Sequence, residues 1–345
     1  MKRTTLPKLI AAAVLVAGFT TQQANAQSMH FSQYYNAPML LNPANTALLP
    51  DNDYRIGANY RTQWASIPVP YKTFSAYGDL EAFRGESGTN WMGIGAALFT
   101  DKAGDGDLGL TRAEAFLSYH IMTGETFMVS AGASAAYVQR SVNYDKLTFD
   151  SQWDGFGFDY TLPSNEKGGI IKTNYMDVSA GINLALLPND NVYAKLGFGI
   201  ANINQPKQSF YGQDTKIAMR PTGNLDILWR IGKTVILNPS VYYTTQQKAY
   251  EALYGTLVRI NITPEKEGYG NNQLILGGYH RVGDAAVGVV GVEFVGIQIM
   301  GSYDYTISSL NDYNKGKGAL EFSIVYQGVY DRSHRGRNNI HCPRF

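Results

Sequence analysis

From Ile297 to Ile307 two kinds of residue take turns: Ile297, Ile299, Gly301, Tyr303, Tyr305 and Ile307 at odd positions, Gln298, Met300, Ser302, Asp304 and Thr306 at even ones. A strand returns to the same face every second residue, so this stretch reads as a strand with one apolar and one more polar face. Phe127, Val129, Ala131, Ala133, Ala135 and Tyr137 repeat the pattern against Ser130, Gly132 and Ser134. Leu320, Phe322, Ile324 and Tyr326 do so against Glu321, Ser323 and Gln327. Followed along the chain, the alternation predicts strands over 53–64, 70–83, 90–101, 107–121, 125–138, 172–186, 191–203, 218–231, 234–246, 249–262, 272–282, 285–294, 296–308 and 317–328. Most reach the roughly 9–11 residues that a tilted membrane strand needs and exceed the roughly 5–6 typical of soluble sheets. A secreted β-sandwich shares the alternation, but length favours a transmembrane antiparallel β-barrel of about fourteen strands in a single domain.

The chain begins with Lys2, Arg3 and Lys8 ahead of an apolar run from Leu9 to Phe19, followed by the small-residue triplet Ala24-Asn25-Ala26. This is the pattern of a signal peptide over 1–26, cut before Gln27. Its apolar core is too short to span a bilayer, and no Cys follows the cut, which argues against an anchor helix and a lipoprotein. Beyond Gln27 no stretch approaches eighteen apolar residues, which excludes a helical membrane protein. An even strand number places both termini in the periplasm, with short turns there and longer loops outside. The gaps 139–171 and 204–217 fall on the outer side, and the turns Thr123-Gly124 and Pro188-Asn189-Asp190 on the other. The gap 263–271 is long on the periplasmic side, which points to a misplaced strand boundary. Trp64 is expected near the outer membrane interface, Trp91 and Trp229 near the inner one. The layout is therefore a signal peptide, a periplasmic or luminal segment over 27–52, a barrel over 53–329 and a basic tail over 330–345.

Composition narrows the chemistry. The chain has 36 Gly, 24 Tyr and 15 Phe with 17% charged residues, and its single Cys rules out a disulfide framework. A net charge of +1 implies no nucleic-acid partner. No Gly-x-Ser-x-Gly, His-Glu-x-x-His, P-loop or paired-Cys motif is present. Gly93-Ile94-Gly95 lacks a third glycine and lies in a predicted strand, so it reads as small residues of a barrel wall. Asp101, Asp105 and Asp107 lack the spacing and closing Glu of a calcium loop and read as a solvated outer turn. His120 and His280 fall inside predicted strands, where packing in the lumen is the expected role. No cofactor is implied and no catalytic residue emerges, although barrel enzymes assemble their groups from separate strands.

Three segments look specialised. His30-Phe31-Ser32-Gln33-Tyr34-Tyr35-Asn36-Ala37-Pro38, continuing through Leu40-Leu41-Asn42-Pro43-Ala44, is rich in aromatics and prolines. It suits an ordered segment packed in the lumen or on a partner, with His30, Phe31, Tyr34, Tyr35, Asn42 and Pro43 as contact residues; a merely extended leader is the alternative. The outer loop 139–171 carries Phe149, Trp153, Phe156, Phe158 and Tyr160, either as binding anchors or packed over the barrel mouth. The tail carries Arg332, Arg335, Arg337 and Arg344 and ends Cys342-Pro343-Arg344-Phe345. It docks in a polar lumen or on an acidic partner, or stays solvated; Arg335, Arg337, Arg344 and Phe345 are its candidate contacts.

His30 to Tyr35 and Leu41-Asn42-Pro43-Ala44, then Tyr54-Arg55, Asn59-Tyr60-Arg61, Gln63-Trp64 and Pro70-Tyr71-Lys72-Thr73, resemble the start of the PorP/SprF family. Ser302-Tyr303-Asp304-Tyr305-Thr306 with Ser308, Leu310, Gly318 and Glu321 resembles its closing strands. Where the family pattern often has a His before the acidic residue of the last strand, this chain has Ala319-Leu320 before Glu321. The resemblance implies a non-enzymatic outer-membrane component of the type IX secretion system of Bacteroidetes. Such a barrel assists export or surface attachment of cargo with a C-terminal secretion domain, often adhesins of gliding motility, together with a larger translocon and periplasmic partners. An outer-membrane porin or small-solute channel is the competing reading, with an open lumen lined by charged side chains.

Overall fold

A computed structural model describes residues 31–49, 52–65, 70–85, 89–104, 106–124, 126–159, 161–166, 168–209, 215–262 and 272–330. Its strands are β1 (Tyr54–Gln63), β2 (Tyr71–Ala82), β3 (Asn90–Ala103), β4 (Leu108–Thr123), β5 (Phe127–Asn143), β6 (Ile170–Asn189) and β7 (Val192–Ala201). A two-residue pair, β8 (Lys207–Gln208) and β9 (Thr215–Lys216), stands apart. The series continues with β10 (Arg220–Ile231), β11 (Val235–Gln246), β12 (Ala249–Asn261), β13 (Gln273–Arg281), β14 (Ala285–Phe294), β15 (Ile297–Thr306) and β16 (Lys317–Gly328). Apart from β8 and β9, each strand pairs antiparallel with its chain neighbours, and β1 closes on β16 from Tyr54↔Gly328 to Gln63↔Ala319. The ring of fourteen has no free edge, as hydrocarbon requires, and this closure excludes the sandwich.

Side-chain polarity is inverted relative to a soluble sheet. Ile56, Leu117, Ile182, Val290 and Ile324 lie exposed on the outer face, while Arg55, Asn59, Arg61, Ser75, Asp79, Glu114 and His120 are buried toward the lumen. Only a solvent that is itself apolar makes that arrangement favourable. Parity also corrects two expectations. Trp91 falls on the inward register and is buried rather than at a membrane interface, and His280 falls on the outward register against the Tyr254 hydroxyl, 2.9 Å away. Trp229 is half-exposed on β10, and Trp64 meets Tyr71 edge-on just past β1.

β1 begins and β16 ends at one end of the barrel, here the terminal end; the connections 144–169 and 202–219 lie at the other, the loop end. The connection 263–271 lies outside the described residues. β12 and β13 nonetheless pair up to Asn261↔Gln273, and Ile262 N–H donates to Asn272 O at 2.8 Å. The long link therefore does join them at the terminal end, and neither strand boundary beside it is misplaced. Wall height is uneven: β4, β5 and β6 have 16, 17 and 20 residues against ten in β1 and β7. β5 and β6 stay paired to Asn143↔Ile170, so both strands run further toward the loop end than the sequence pattern indicates.

Ile324 pairs with Ala58 at mid-height of the closing seam and faces outward. Ile324→Arg is expected to cost about 2–4 kcal/mol of barrel stability, the range for Arg at the bilayer midplane. Urea unfolding in lipid vesicles checks this.

Candidate functional site: a segment folded inside the lumen

Residues 31–49 fill the lumen. Two prolines set its local shape, each opening a single 3-10 turn, Pro38–Leu40 and Pro43–Asn45, where a missing N–H costs nothing. Asn42, held extended by the proline that follows (φ −150°, ψ 115°), caps the second turn. Its Oδ1 accepts from Ala44 N–H at 2.9 Å, while its Nδ2 donates to Ile182 O at 3.1 Å and Asn183 Oδ1 at 2.9 Å on β6. The wall makes room with inward glycines. A Cβ on Gly132 would stand 2.5 Å from the Pro43 carbonyl, and one on Gly93 2.4 Å from Thr46 O.

Toward the loop end the segment is held by charge. Ser32 and Gln33 donate their backbone N–H groups to the two oxygens of Glu321 on β16, at 2.8 and 3.1 Å. Ser32 Oγ lies 2.7 Å from Asp304 Oδ2, Arg61 Nη1 and Arg281 Nη2. It donates to the carboxylate and accepts from both guanidinium groups. Arg61 also pairs with Asp304 at 2.8 Å and Glu321 at 3.2 Å, and Arg281 with Glu251 at 3.2 Å and Asp304 at 3.1 Å. These side chains are at most 4% exposed, so the ions meet almost no water. Such a cluster adds little net stability over an apolar core, but removing one member leaves a bare buried charge. Its effect is to fix one position of the segment.

Aromatic contacts follow. Tyr34 stacks on Tyr242 at 5.3 Å and donates to Ser240 Oγ at 2.8 Å, and Tyr35 stacks on Tyr279 at 5.6 Å. Phe31 meets Phe99 edge-on at 5.9 Å. At the far end Ala47 N–H donates to Asp79 Oδ2 at 2.7 Å, and Arg55 grips the same carboxylate through two bonds of 3.0 and 2.7 Å. Thr46 O accepts from Ser118 Oγ at 2.7 Å and from His120 Nε2 at 2.8 Å; Trp91 Nε1 donates to Ala47 O at 3.1 Å and its ring stacks on His120. His120 thus does pack in the lumen. The segment descends from partners near the loop end, Arg61 and Arg281, to partners near the terminal end, Asp79 and Trp91, before the chain turns into β1. Phe31, the first described residue, therefore lies in the loop-end half of the barrel, opposite the end where β16 finishes.

The structure brings Phe31, Tyr34, Tyr35, Asn42 and Pro43 together in this one segment, and His30 lies outside the described residues. The loop aromatics do not form one cluster. Phe149 stacks on Tyr144 inside the loop at 6.0 Å; Trp153 and Phe158 pair across a small turn at 5.1 Å; Phe156 at its tip is 97% exposed. Asp154 Oδ1 accepts from Phe156 and Gly157 N–H, both at 2.8 Å, and these two bonds hold its carboxyl below the usual range. Tyr160 and the tail residues Arg335, Arg337, Arg344 and Phe345 lie outside the described residues. Sequence reasoning did not single out Arg61, Arg281, Asp304 and Glu321 as a set. The available signal was a charge on the inward parity of an alternating strand, repeated on β1, β13, β15 and β16.

A cavity of about 230 Å³ remains beside the segment, bordered by Tyr35, Leu48, Lys195, Asp226 and Arg259. Among the described residues no three His, Cys, Asp or Glu side chains are grouped to share a metal ion.

A closed antiparallel ring, apolar outside and polar inside, with its own N-terminal residues packed in the lumen, defines an outer-membrane-type β-barrel with an internal plug. The chain matches the family described as "Type IX secretion system membrane protein PorP/SprF" over residues 23–326, and it belongs to that family. No curated protein matches it. Among solved structures it is similar to the toluene transporter TbuX of Ralstonia pickettii, at 10% identity, covering 86% of this chain and 94% of that one, with a TM-score of 0.53. A mutant of the monoaromatic hydrocarbon channel TodX gives 9% identity, 86% and 94% coverage and a TM-score of 0.52. At such identities the likeness is one of fold alone.

Two outcomes are expected. Glu321→Ala strips the acceptor from two backbone N–H groups and leaves Arg61 with Asp304 as its one carboxylate partner, and should cost about 3–5 kcal/mol; Gly132→Val should unseat the Pro43 turn. Both should expose residues 31–49 to protease while the strands persist, read by mass spectrometry of the fragments. The tip turn should loosen in acid. Because Asp154 titrates lower folded than unfolded, its contribution is complete at neutral pH and disappears as pH falls through the depressed folded value. Faster exchange of the Phe156 and Gly157 amides below the usual carboxylate range checks this.

Proposed function

We propose that this protein is a non-enzymatic accessory barrel of type IX secretion in the outer membrane of Bacteroidetes. It assists export or surface attachment of cargo proteins bearing a C-terminal secretion domain, such as gliding adhesins, and does not conduct solutes. The observation that carries this is the occupied lumen. Ser32 and Gln33 are tied to Glu321, Asp304, Arg61 and Arg281 across the space a porin would keep open. Family membership supports the secretion role. In this reading residues 1–26 are a signal peptide, the terminal end faces the periplasm and its partners, and the outward apolar face meets outer-membrane lipid. The basic tail, with Arg335, Arg337 and Arg344, meets periplasmic components of the system, and the loop end faces cargo. The transported compounds named for the structural neighbours carry over only to the competing reading of a small-solute channel, which the filled lumen disfavours.

The loop offers a defined contact. A rigid turn presenting Phe156 between Trp153 and Phe158 suits a hydrophobic pocket on cargo. Purified protein in planar bilayers should show no steady current, and deletion of its gene should remove a large protein from the cell surface. Phe156→Ala with Trp153→Ala should lower retention of that protein by about tenfold, a loss of roughly 1.4 kcal/mol. Steady conductance with an unchanged surface proteome would establish the channel instead.

A further inference from the structure

Strand parity separates the outward side chains of the barrel from those in the lumen. The outward positions of its fourteen strands carry no Asp, Glu or Arg. Their lysines are Lys72 on β2, Lys102 on β3 and Lys172 on β6, with Lys317 beyond the register shift at the start of β16, and all four stand at the loop end. Lys72, Lys102 and Lys172 share one row across the wall: Lys72 pairs with Lys102, Lys102 with Gly109, Gly109 with Ser141 and Ser141 with Lys172. Like charges set directly opposite each other repel. Lys72 and Lys102 are nonetheless exposed, and neither forms an ion pair among the described residues. Asp107, a carboxylate within range of Lys102, is already held by Lys146 at 2.6 Å.

One row nearer mid-height stand Thr100, Thr111, Gln139 and Asn174, and one row further in Leu98, Ala113, Tyr137 and Met176. Cationic, neutral polar and apolar rows thus succeed one another down this sector. The outward positions at the loop end of β7 and β10 to β15 carry no lysine. Hydration of the rim would be needed all round the barrel, so it does not account for a charge confined to one side.

We propose that the outer face of β2 to β6 at the loop end binds a phosphorylated glycolipid of the surrounding leaflet. Lys72 and Lys102, with Cβ atoms about 5 Å apart, hold a phosphate between them, which turns their repulsion into a shared attraction. Lysine suits the place, since its long apolar stem lies along the wall while its ammonium reaches the headgroup. Lys172 extends the cationic edge by about 14 Å along the row, three strand spacings beyond Lys102. Thr100, Thr111, Gln139 and Asn174 offer hydroxyl and amide groups to sugar hydroxyls, and acyl chains lie on Leu98, Tyr137 and Met176. The choice of leaflet rests on the orientation proposed above; recognition of phosphate by this face does not.

Native mass spectrometry of the protein in detergent tests this, with monophosphoryl lipid A as the probe and its dephosphorylated form as the control. Wild type should retain the phosphorylated lipid and release it as salt rises. Lys72→Gln, Lys102→Gln and Lys172→Gln should each weaken binding about fivefold, the effect of one charge at an anionic surface, and the triple variant on the order of a hundredfold. Lys248→Gln, which alters an exposed lysine in the β11–β12 turn at the same end, should leave binding unchanged. Variants are compared at equal amounts of folded barrel, read from the compact band on unheated gels. Equal binding of the dephosphorylated lipid, or undiminished binding by the triple variant, would overturn the proposal. Displacement of the lipid by equimolar inorganic phosphate would make this a free-anion site, and a lysine-dependent dimer in lipid-free detergent a contact between copies; either result overturns the lipid assignment. The measurement involves neither cargo nor conductance, so its failure would leave the secretion reading standing.

Discussion

One carboxylate joins the two ends of this fold. Glu321 stands on the last strand, next to the seam with the first, and accepts the backbone N–H groups of Ser32 and Gln33, nearly 300 positions earlier in the chain. Without an acceptor there, two peptide N–H groups would face a water-poor interior unpaired and Arg61 would lose one of its two carboxylate partners, which is costly. With it, one backbone path satisfies Arg61, Arg281, Asp304 and Glu321 together. The arrangement specifies position more than it adds stability, since the desolvation of five or so ions offsets most of their attraction.

The rest of the lumen depends on that position. Once Ser32 is held, the two proline turns bring Asn42 to Asn183 and Thr46 to His120, and the inward glycines admit the backbone at contact distance. Some polar groups on the strands that a water-filled channel would hydrate are instead bonded to the segment's own peptide groups. Ser118, His120 and Trp91 converge on Thr46 or Ala47 in this way, and Ser130 holds the other ring nitrogen of His120.

The barrel was legible because period two reports directly which face a residue occupies, and membrane strands are long enough for the signal to repeat. Legibility failed where the pattern carries two meanings. Gln139 to Asn143 and Ile170 to Tyr175 lose the apolar alternation although they remain paired, because the solvent on their outer side changes. Trp91 and His280 were misassigned by residue type, although the parity of Gly93 and Tyr279 beside them gave the correct side. The path of residues 31–49 could not be read, since short 3-10 turns have no periodicity and their partners lie on distant strands. The charged positions Arg61, Asp304 and Glu321 were visible in the sequence one by one, but only folding makes them a set.

The unequal strands have a mechanical consequence. Near Ala180↔Ile200 the β6 wall loses its β7 neighbour and continues for about ten more residues toward Ile170, roughly 33 Å of chain at strand rise before tilt is considered. The rim is thus slanted like a lectern, with its high back formed by β4 to β6 and its low front by the strands across the mouth. Among the described residues, the strands thus give a large object resting on this barrel one low side and one backstop, so the wall sets a heading within the plane of the membrane.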